Sequence, residues 1–297
     1  DEYKLIKLLD TFYTPSNNIT IPIDESTPWG TTGIIATWEG EAAAGNQRKP
    51  ALAQNILRLN MLRVLVILSR ELMQDGLDIT GHVSRKAATA IAWKLADGVI
   101  NGTGVGMPQG ILNSGSLVSV AKGSGQPIAT VSFGNLASMW DCMTPSMRSK
   151  AIWICNPRVQ TQLRNMTMGP YSTAASVTAG TNVPAAAQVG AWERQGNQEF
   201  VFGRPVFYTE ACLGLGLVGD IILVDPTSIA ALMKSQGVDY AVSTEWAFDQ
   251  NADAHRMQVR FDAKSSMQKV FKAPKPDYGG TTYQSLSNIV TIAARTA

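Results

Sequence analysis

Apolar residues recur every four positions at Ile79, Val83, Ala87, Ile91, Leu95 and Val99, a spacing that lines one face of a single long helix over residues 78–101. Ala88, Ala92 and Ala96 widen the stripe, and the five alanines between Ala87 and Ala96 favour the helix and let neighbours approach closely. At ~1.5 Å per residue the element runs roughly 36 Å, enough to cross a whole domain. Asp78 or Thr80 supplies an N-cap oxygen. The helix then meets a glycine-rich run, NGTGVGMPQGILN, at residues 101–113. There Asn101 and Gly102 are expected to end the helix in a left-handed conformation, and Pro108 blocks a restart. The rest of the chain has to be arranged around this spine.

The glycines invite a phosphate-binding reading, which their pattern does not support. A P-loop needs GxxxxGK[ST], and no lysine stands in the run; Gly102, Gly104 and Gly106 give GxGxG where a dinucleotide fingerprint needs GxGxxG. Phosphates also sit at helix N-termini, whereas this run follows a C-terminus. The expected role of Gly102, Gly104, Gly106, Pro108 and Gly110 is structural: they stop the helix and fold the chain back beside it. On that reading Gly104→Val impairs folding or assembly without any loss of a ligand.

Other chemistry is equally sparse. The DQNAD stretch at 249–253 opens like a calcium loop, but Ala254 and Arg260 replace the glycine and glutamate that such a loop requires. An Asx-type turn between two strands is expected there. The only histidines, His82 and His255, lie in dissimilar contexts, with His82 placed as a surface or interface residue, and no HExxH or GxSxG motif is present. Glu39 and Glu41 alternate on one stretch and read as solvated. Cys142, Cys155 and Cys212 are odd in number and lack CxxC spacing, so they read as buried thiols. No catalytic residue, cofactor or metal is assigned.

Only 16% of the 297 residues are charged, well below the ~25% usual for globular proteins. So little charge protects a monomer poorly against association, and extensive protein–protein surface is expected. A net charge of +2 lacks the basic footprint of a dedicated nucleic-acid binder. No run reaches the ~18 apolar residues that span a bilayer. The first residues carry no signal-peptide pattern, and a trimmed start at Asp1 is the expectation.

Taken in order, residues 1–17 form an arm whose order depends on a partner. ITIPID at 19–24 and GIIATWEGE at 33–41 read as strands, the first demoted to an edge by Pro22, and residues 42–50 form a loop tip after them. Residues 51–68 keep a period of two and read as one strand approaching ~60 Å, long enough to lie across a neighbour. SRELMQDG at 69–76 is a helical turn or two. Two short strands flank 123–127, a helix covers 133–143, and a buried strand at 151–155 turns into a helix. Residues 169–198 read as a long loop. Strand candidates come next in EFVFGRPVFYTE and GDIILVDP, then a short helix over 227–234, a terminal antiparallel sheet and a tail.

This order of parts resembles the major capsid proteins of tailed bacteriophages with the Hong Kong 97 type fold. The resemblance rests on the arm, the two-stranded loop carrying WEGE, ILSRELMQDG, the long helix, NGTGVGMPQGILN, AIWICNPR, FGRPVFYTE and GDIILVDP. It implies an α+β subunit with an N-terminal arm (1–18), an extended β-hairpin loop (19–62), a peripheral domain with the spine helix (63–112 and 237–275), an axial domain (113–236) and a C-terminal tail (276–297). It also implies hexamers and pentamers of an icosahedral shell around packaged double-stranded DNA, assembled in a bacterial cytoplasm and located in the virion. Portal, scaffold, maturation protease and decoration proteins are the implied partners, and no membrane is involved.

The assembly residues implied are Trp38, Glu39, Gly40, Lys49 and Pro50 on the loop, beside the glycines after the helix. Some family members weld subunits through a loop-tip lysine and an asparagine. Lys49 matches that lysine, but Arg256 stands near the asparagine position, so no cross-link is expected. Arg256, Arg260, Lys264 and Lys269 either touch DNA weakly or form a solvated face. An encapsulin-like compartment is the nearest rival, and a nucleotide-binding enzyme using the glycine run is the rival of another class.

Overall fold

The structure, a computed structural model, describes residues 2–30, 33–39, 41, 48–75, 78–123, 125–168, 183–184, 192–196, 198–247, 249, 251–276 and 283–296. The chain opens with α1 (Glu2–Leu8), β1 (Asp10–Thr14), β2 (Asn18–Asp24), β3 (Leu52–Arg58), β4 (Asn60–Ser69), α2 (Arg70–Asp75) and α3 (Ile79–Asn101). It continues through β5 (Leu117–Val120), α4 (Phe133–Cys142), β6 (Ile152–Cys155), α5 (Gln160–Arg164) and the short pair β7 (Thr167–Met168) and β8 (Val183–Pro184). Then come β9 (Trp192–Gln195), β10 (Gln198–Val201), β11 (Arg204–Tyr208), β12 (Ile221–Val224), β13 (Ile229–Lys234), β14 (Asp239–Ala247), β15 (Ala252–Ser265), β16 (Phe271–Lys272), β17 (Ser285–Leu286) and β18 (Ile289–Ile292).

The spine helix is α3, and the side chain of Asp78 caps it by accepting the Gly81 N–H at 3.2 Å. A Cβ on Gly81 would fall 2.4 Å from that carboxylate, so the glycine makes room for the cap. The buried side chains Ala87, Ile91, Leu95, Ala96, Val99 and Ile100 hold one core together. Against them pack Met257, Val259, Phe261 and Ala263 of β15, Ile152, Ile154, Ile222 and Val224 of the second sheet, and Leu5, Ile6 and Leu9 of the arm. The arm is therefore ordered by its own chain, and β1 runs parallel to β13 along the sheet edge. Apolar residues spaced through KLIKLL bury more surface here than a free arm could.

Two sheets meet over α3. In the five-stranded sheet, β15 is the central strand: β4 pairs along one side of it, and β13 and β14 pair with successive stretches of the other. Residues 229–234 thus form a strand where a helix is expected. Ala230 and Ala231 are buried between β1 and β15, and that tertiary setting overrides the helical propensity of IAALMK. Residues 51–68 are not one strand either. The ladder breaks at Leu59, whose N–H bonds Asn17 O at 3.0 Å, and the chain changes partner from β2 to β15. Residues 33–39 take no strand pairing, and after β5 no second strand forms at 128–132.

The seven-stranded sheet has the order β5-β18-β12-β6-β11-β10-β9. Its central strands are buried on both faces, which is why IWIC, IILV and IVTI read as unbroken apolar runs. One face meets α3; the other packs Trp153, Cys155, Ile221, Leu223, Val290 and Ile292 against Leu136 and Met139 of α4 and Leu163 of α5. Residues 289–292, expected to lie in a tail, form a strand inserted between β5 and β12. Three residues later Arg295 forms an ion pair with Asp220, both wholly buried. Where the sheets join, Asn288 donates to Ser228 Oγ (2.7 Å) and Ser265 Oγ (3.0 Å), and Ser114 and Ser116 hydrogen-bond beside them. This buried polar seam is satisfied from four distant segments and fixes their register.

Candidate assembly surfaces

The bend after α3 is built by backbone proximity. Gly102 has φ −55 and ψ 142, so it is not the expected left-handed cap. Its lack of a side chain is what matters, because a Cβ would lie 2.1 Å from Pro108 O and 2.3 Å from Gly98 O. The returning chain crosses over it: Gly110 N–H donates to Gly102 O at 2.8 Å, and Gly104 N–H to Pro108 O at 3.0 Å. Gln109 N–H bonds Ala263 O at 3.0 Å, tying the bend to β15, and Asn113 Nδ2 donates to Gly102 O at 2.9 Å. The amides of Gly104, Gln109 and Gly110 are thereby engaged within the protein. Left-handed backbone occurs instead at Gly104 and Gly106, with φ +81 and +66, and a Cβ at Gly106 would meet nothing within 4 Å.

The extended loop is rooted firmly and then leaves the body of the subunit. β2 and β3 pair in register from Asn18↔Arg58 to Asp24↔Leu52. Leu57 is buried with Ala230 and Leu232 on the face of the five-stranded sheet opposite α3. Beyond β2, Glu25 accepts the Gln268 N–H, and Trp29 Nε1 donates to Lys272 O at 3.0 Å. Past this root two large apolar side chains are bare: Ile34 is 68% exposed and Trp38 fully so. Glu39, Glu41, Lys49 and Pro50 are exposed as well, while Gly40 lies outside the described residues. The structure thus gathers Gly102, Gly104, Gly106, Pro108 and Gly110 in one bend and leaves Trp38, Glu39, Lys49 and Pro50 on a separate, outward loop.

At the root, Asp262 accepts the Arg58 N–H at 2.8 Å and the Ala263 N–H at 3.0 Å. Burial pushes its carboxyl up to about 6, against the opposing pull of those two N–H groups and Lys264. The folded state therefore holds the Asp262 proton more tightly than the unfolded chain does. The stability this contributes is fully present below about pH 4 and is lost as pH rises through about 6. Urea unfolding of the free subunit at about pH 4 and about pH 7 is expected to show Asp262→Asn removing on the order of 2 kcal/mol of pH dependence.

A second buried acid, Glu199, accepts from Gln160 (3.1 Å), Arg164 and Tyr208. Burial alone would raise its pKa, but Tyr208, Arg164 and Gln160 outweigh that and hold it below the usual carboxylate range, while burial and the Glu199 bond push Tyr208 up. Each partner is occupied with another, so the group is a tie between α5 and the β10–β11 hairpin. His82 is exposed on α3, whereas His255 is buried and meets Tyr240 at 2.7 Å. Among the described residues no three metal-ligating side chains come together.

Sequence reading placed Arg256 and Arg260 on a sheet but did not find what lies beside them. Strand alternation and the β4–β15 register put Arg63, Arg256 and Arg260 on the same face, together with Met61, Leu65 and Ile67. That pairing joins segments nearly two hundred residues apart, and a one-residue shift would reverse the face.

Comparison with known proteins agrees with this architecture. The capsid of a native GTA particle superposes with a TM-score of 0.71 at 16% identity, covering 100% of this chain and 91% of that one. A chain of Mycobacterium phage Adephagia gives 0.64 at 11% identity, covering 99% and 90%. The holo-SrpI encapsulin complex of Synechococcus elongatus gives 0.59 at 11% identity, covering 99% and 89%. No curated protein matches the sequence. The fold is thus the α+β Hong Kong 97 type. A family model described as the phage capsid family matches residues 3–275, and the chain belongs to that family.

Proposed function

We propose that this capsid shell protein is the major head protein of a tailed bacteriophage, assembling as hexamers and pentamers into an icosahedral shell around packaged double-stranded DNA. The observation that supports this most is the family match over residues 3–275 combined with an extended loop whose Ile34 and Trp38 are bare on the isolated subunit. Large apolar side chains held out in solvent are costly unless a partner covers them. The five-stranded sheet with α3 corresponds to the peripheral domain and the seven-stranded sheet to the axial domain, with β18 supplied by the C-terminal segment. In this reading the glycine bend fixes the angle at which the chain leaves the spine helix for the seven-stranded sheet, and the loop residues Trp38, Glu39, Gly40, Lys49 and Pro50 act between copies.

The encapsulin neighbour supports a second reading, a compartment with the same shell and a protein cargo. Nuclease treatment of purified particles, followed by extraction, separates the two. Protected double-stranded DNA is expected; particles free of nucleic acid with a co-purifying enzyme would establish the compartment instead.

A further inference from the structure

We infer that the polar hollow between the arm, α5 and the edge of the seven-stranded sheet binds a small phosphate-type oxyanion. The inference goes beyond the shell reading and does not depend on it.

The hollow measures about 300 Å³, and around it stand Lys4 of α1, Gln160 and Arg164 of α5, Arg194 of β9, Glu199 of β10 and Tyr208 of β11. Three cations from three separate elements meet there, and Glu199 is the one acid among the lining residues. That acid is already used. Arg164 Nε (3.0 Å), Arg164 Nη2 and the Gln160 amide (3.1 Å) donate to its Oε1, and the Tyr208 hydroxyl donates to its Oε2. Arg194 lies directly across from Glu199 in the β9–β10 ladder, which sets both on the same face. Even so, Glu199 is turned to α5: Arg194 Nε donates instead to Gly196 O at 3.0 Å, and among the described residues no carboxylate forms an ion pair with Arg194.

A concave surface lined mainly by one sign of charge focuses its field inward and gathers counter-ions. Guanidinium groups and an ammonium around a polar hollow suit a phosphate, whose oxygens accept charge-assisted hydrogen bonds from several directions at once. The converging arrangement also differs from a nucleic-acid footprint, where cations are spread along a stripe to reach successive phosphates. Bound in the hollow, one anion would join Lys4 of the arm to Arg194 at the sheet edge, and so fasten α1 to the seven-stranded sheet.

Thermal unfolding of the full-length subunit tests this, with potassium phosphate set against potassium chloride at equal ionic strength and neutral pH. Phosphate at about 10 mM is expected to raise Tm by about 3–5 °C. Arg194→Gln and, separately, Lys4→Gln should each lose most of that gain relative to their own Tm in chloride. Both side chains are exposed, and circular dichroism in chloride shows whether each variant folds; should one fail, the other decides. Isothermal titration calorimetry of the unmodified chain, which needs no variant, should show saturable phosphate binding at a single site. Absence of any gain or of saturable binding in the unmodified chain would overturn the inference, as would an undiminished gain in a folded variant. So would a gain from a duplex oligonucleotide without one from inorganic phosphate, since that outcome places a nucleic-acid backbone at the hollow.

Discussion

A chain ended at Ser287 is expected to give no folded subunit. Residues 289–292 are the strand between β5 and β12, and Ile289, Val290 and Ile292 are wholly buried there. Three such side chains contribute about 5–9 kcal/mol of burial, which is comparable with the entire stability of a typical domain. The truncation also removes Arg295 and leaves the buried Asp220 carboxylate without its cation. Breaking a buried pair by deleting one partner costs about 3–5 kcal/mol. Soluble yield and size-exclusion profile are the readouts. A chain ended after Arg295 keeps both features and is expected to fold. Soluble, monodisperse protein from the Ser287 truncation would show that the seven-stranded sheet closes without its inserted strand.

Gly102→Ala is expected to be the most damaging single substitution in the glycine bend, costing about 3 kcal/mol or more. The new Cβ would meet two carbonyl oxygens, Pro108 O and Gly98 O, at 2.1 and 2.3 Å, and neither can swing aside as a side chain tip could. Gly106→Ala makes the contrast. Its φ of +66 imposes only the left-handed penalty, about 1–2 kcal/mol, because a Cβ there meets nothing within 4 Å. Gly104→Val falls between them, with φ +81 and a Cβ 3.6 Å from Gln109 Cβ, and its branched side chain adds to the strain. Thermal unfolding of the three variants should show the largest loss for Gly102→Ala and the smallest for Gly106→Ala. Equal losses would mean that the bend relaxes as a unit and that close approach at Gly102 is not its limiting feature.

The legible parts of this fold are those whose signal is local. A 23-residue helix repeats its apolar period many times, so the spine could be read directly and its N-cap narrowed to Asp78 or Thr80. IWIC and IILV announce doubly covered strands by unbroken apolar runs. The illegible parts depend on distant pairing. IAALMK has helical composition, yet becomes β13 because β1 and β15 bracket it. IVTI near the end is too short to carry a period, and nothing nearby shows that it enters a sheet begun at residue 117. Asp220 and Arg295 are 75 positions apart, and neither is distinctive alone. The arginine face has the same cause: Arg63, Arg256 and Arg260 look scattered until the β4–β15 register sets them side by side. For the loop, WEGE could be singled out by motif, but only the structure shows Trp38 to be bare.

If this 31.9 kDa chain works as one copy among many in a closed shell, electron microscopy of the purified native protein will make the shell visible. Closed particles with icosahedral symmetry, built of pentamers and hexamers of this chain, are the expected result. A uniform population of monomers or dimers under the same conditions would refute the shell.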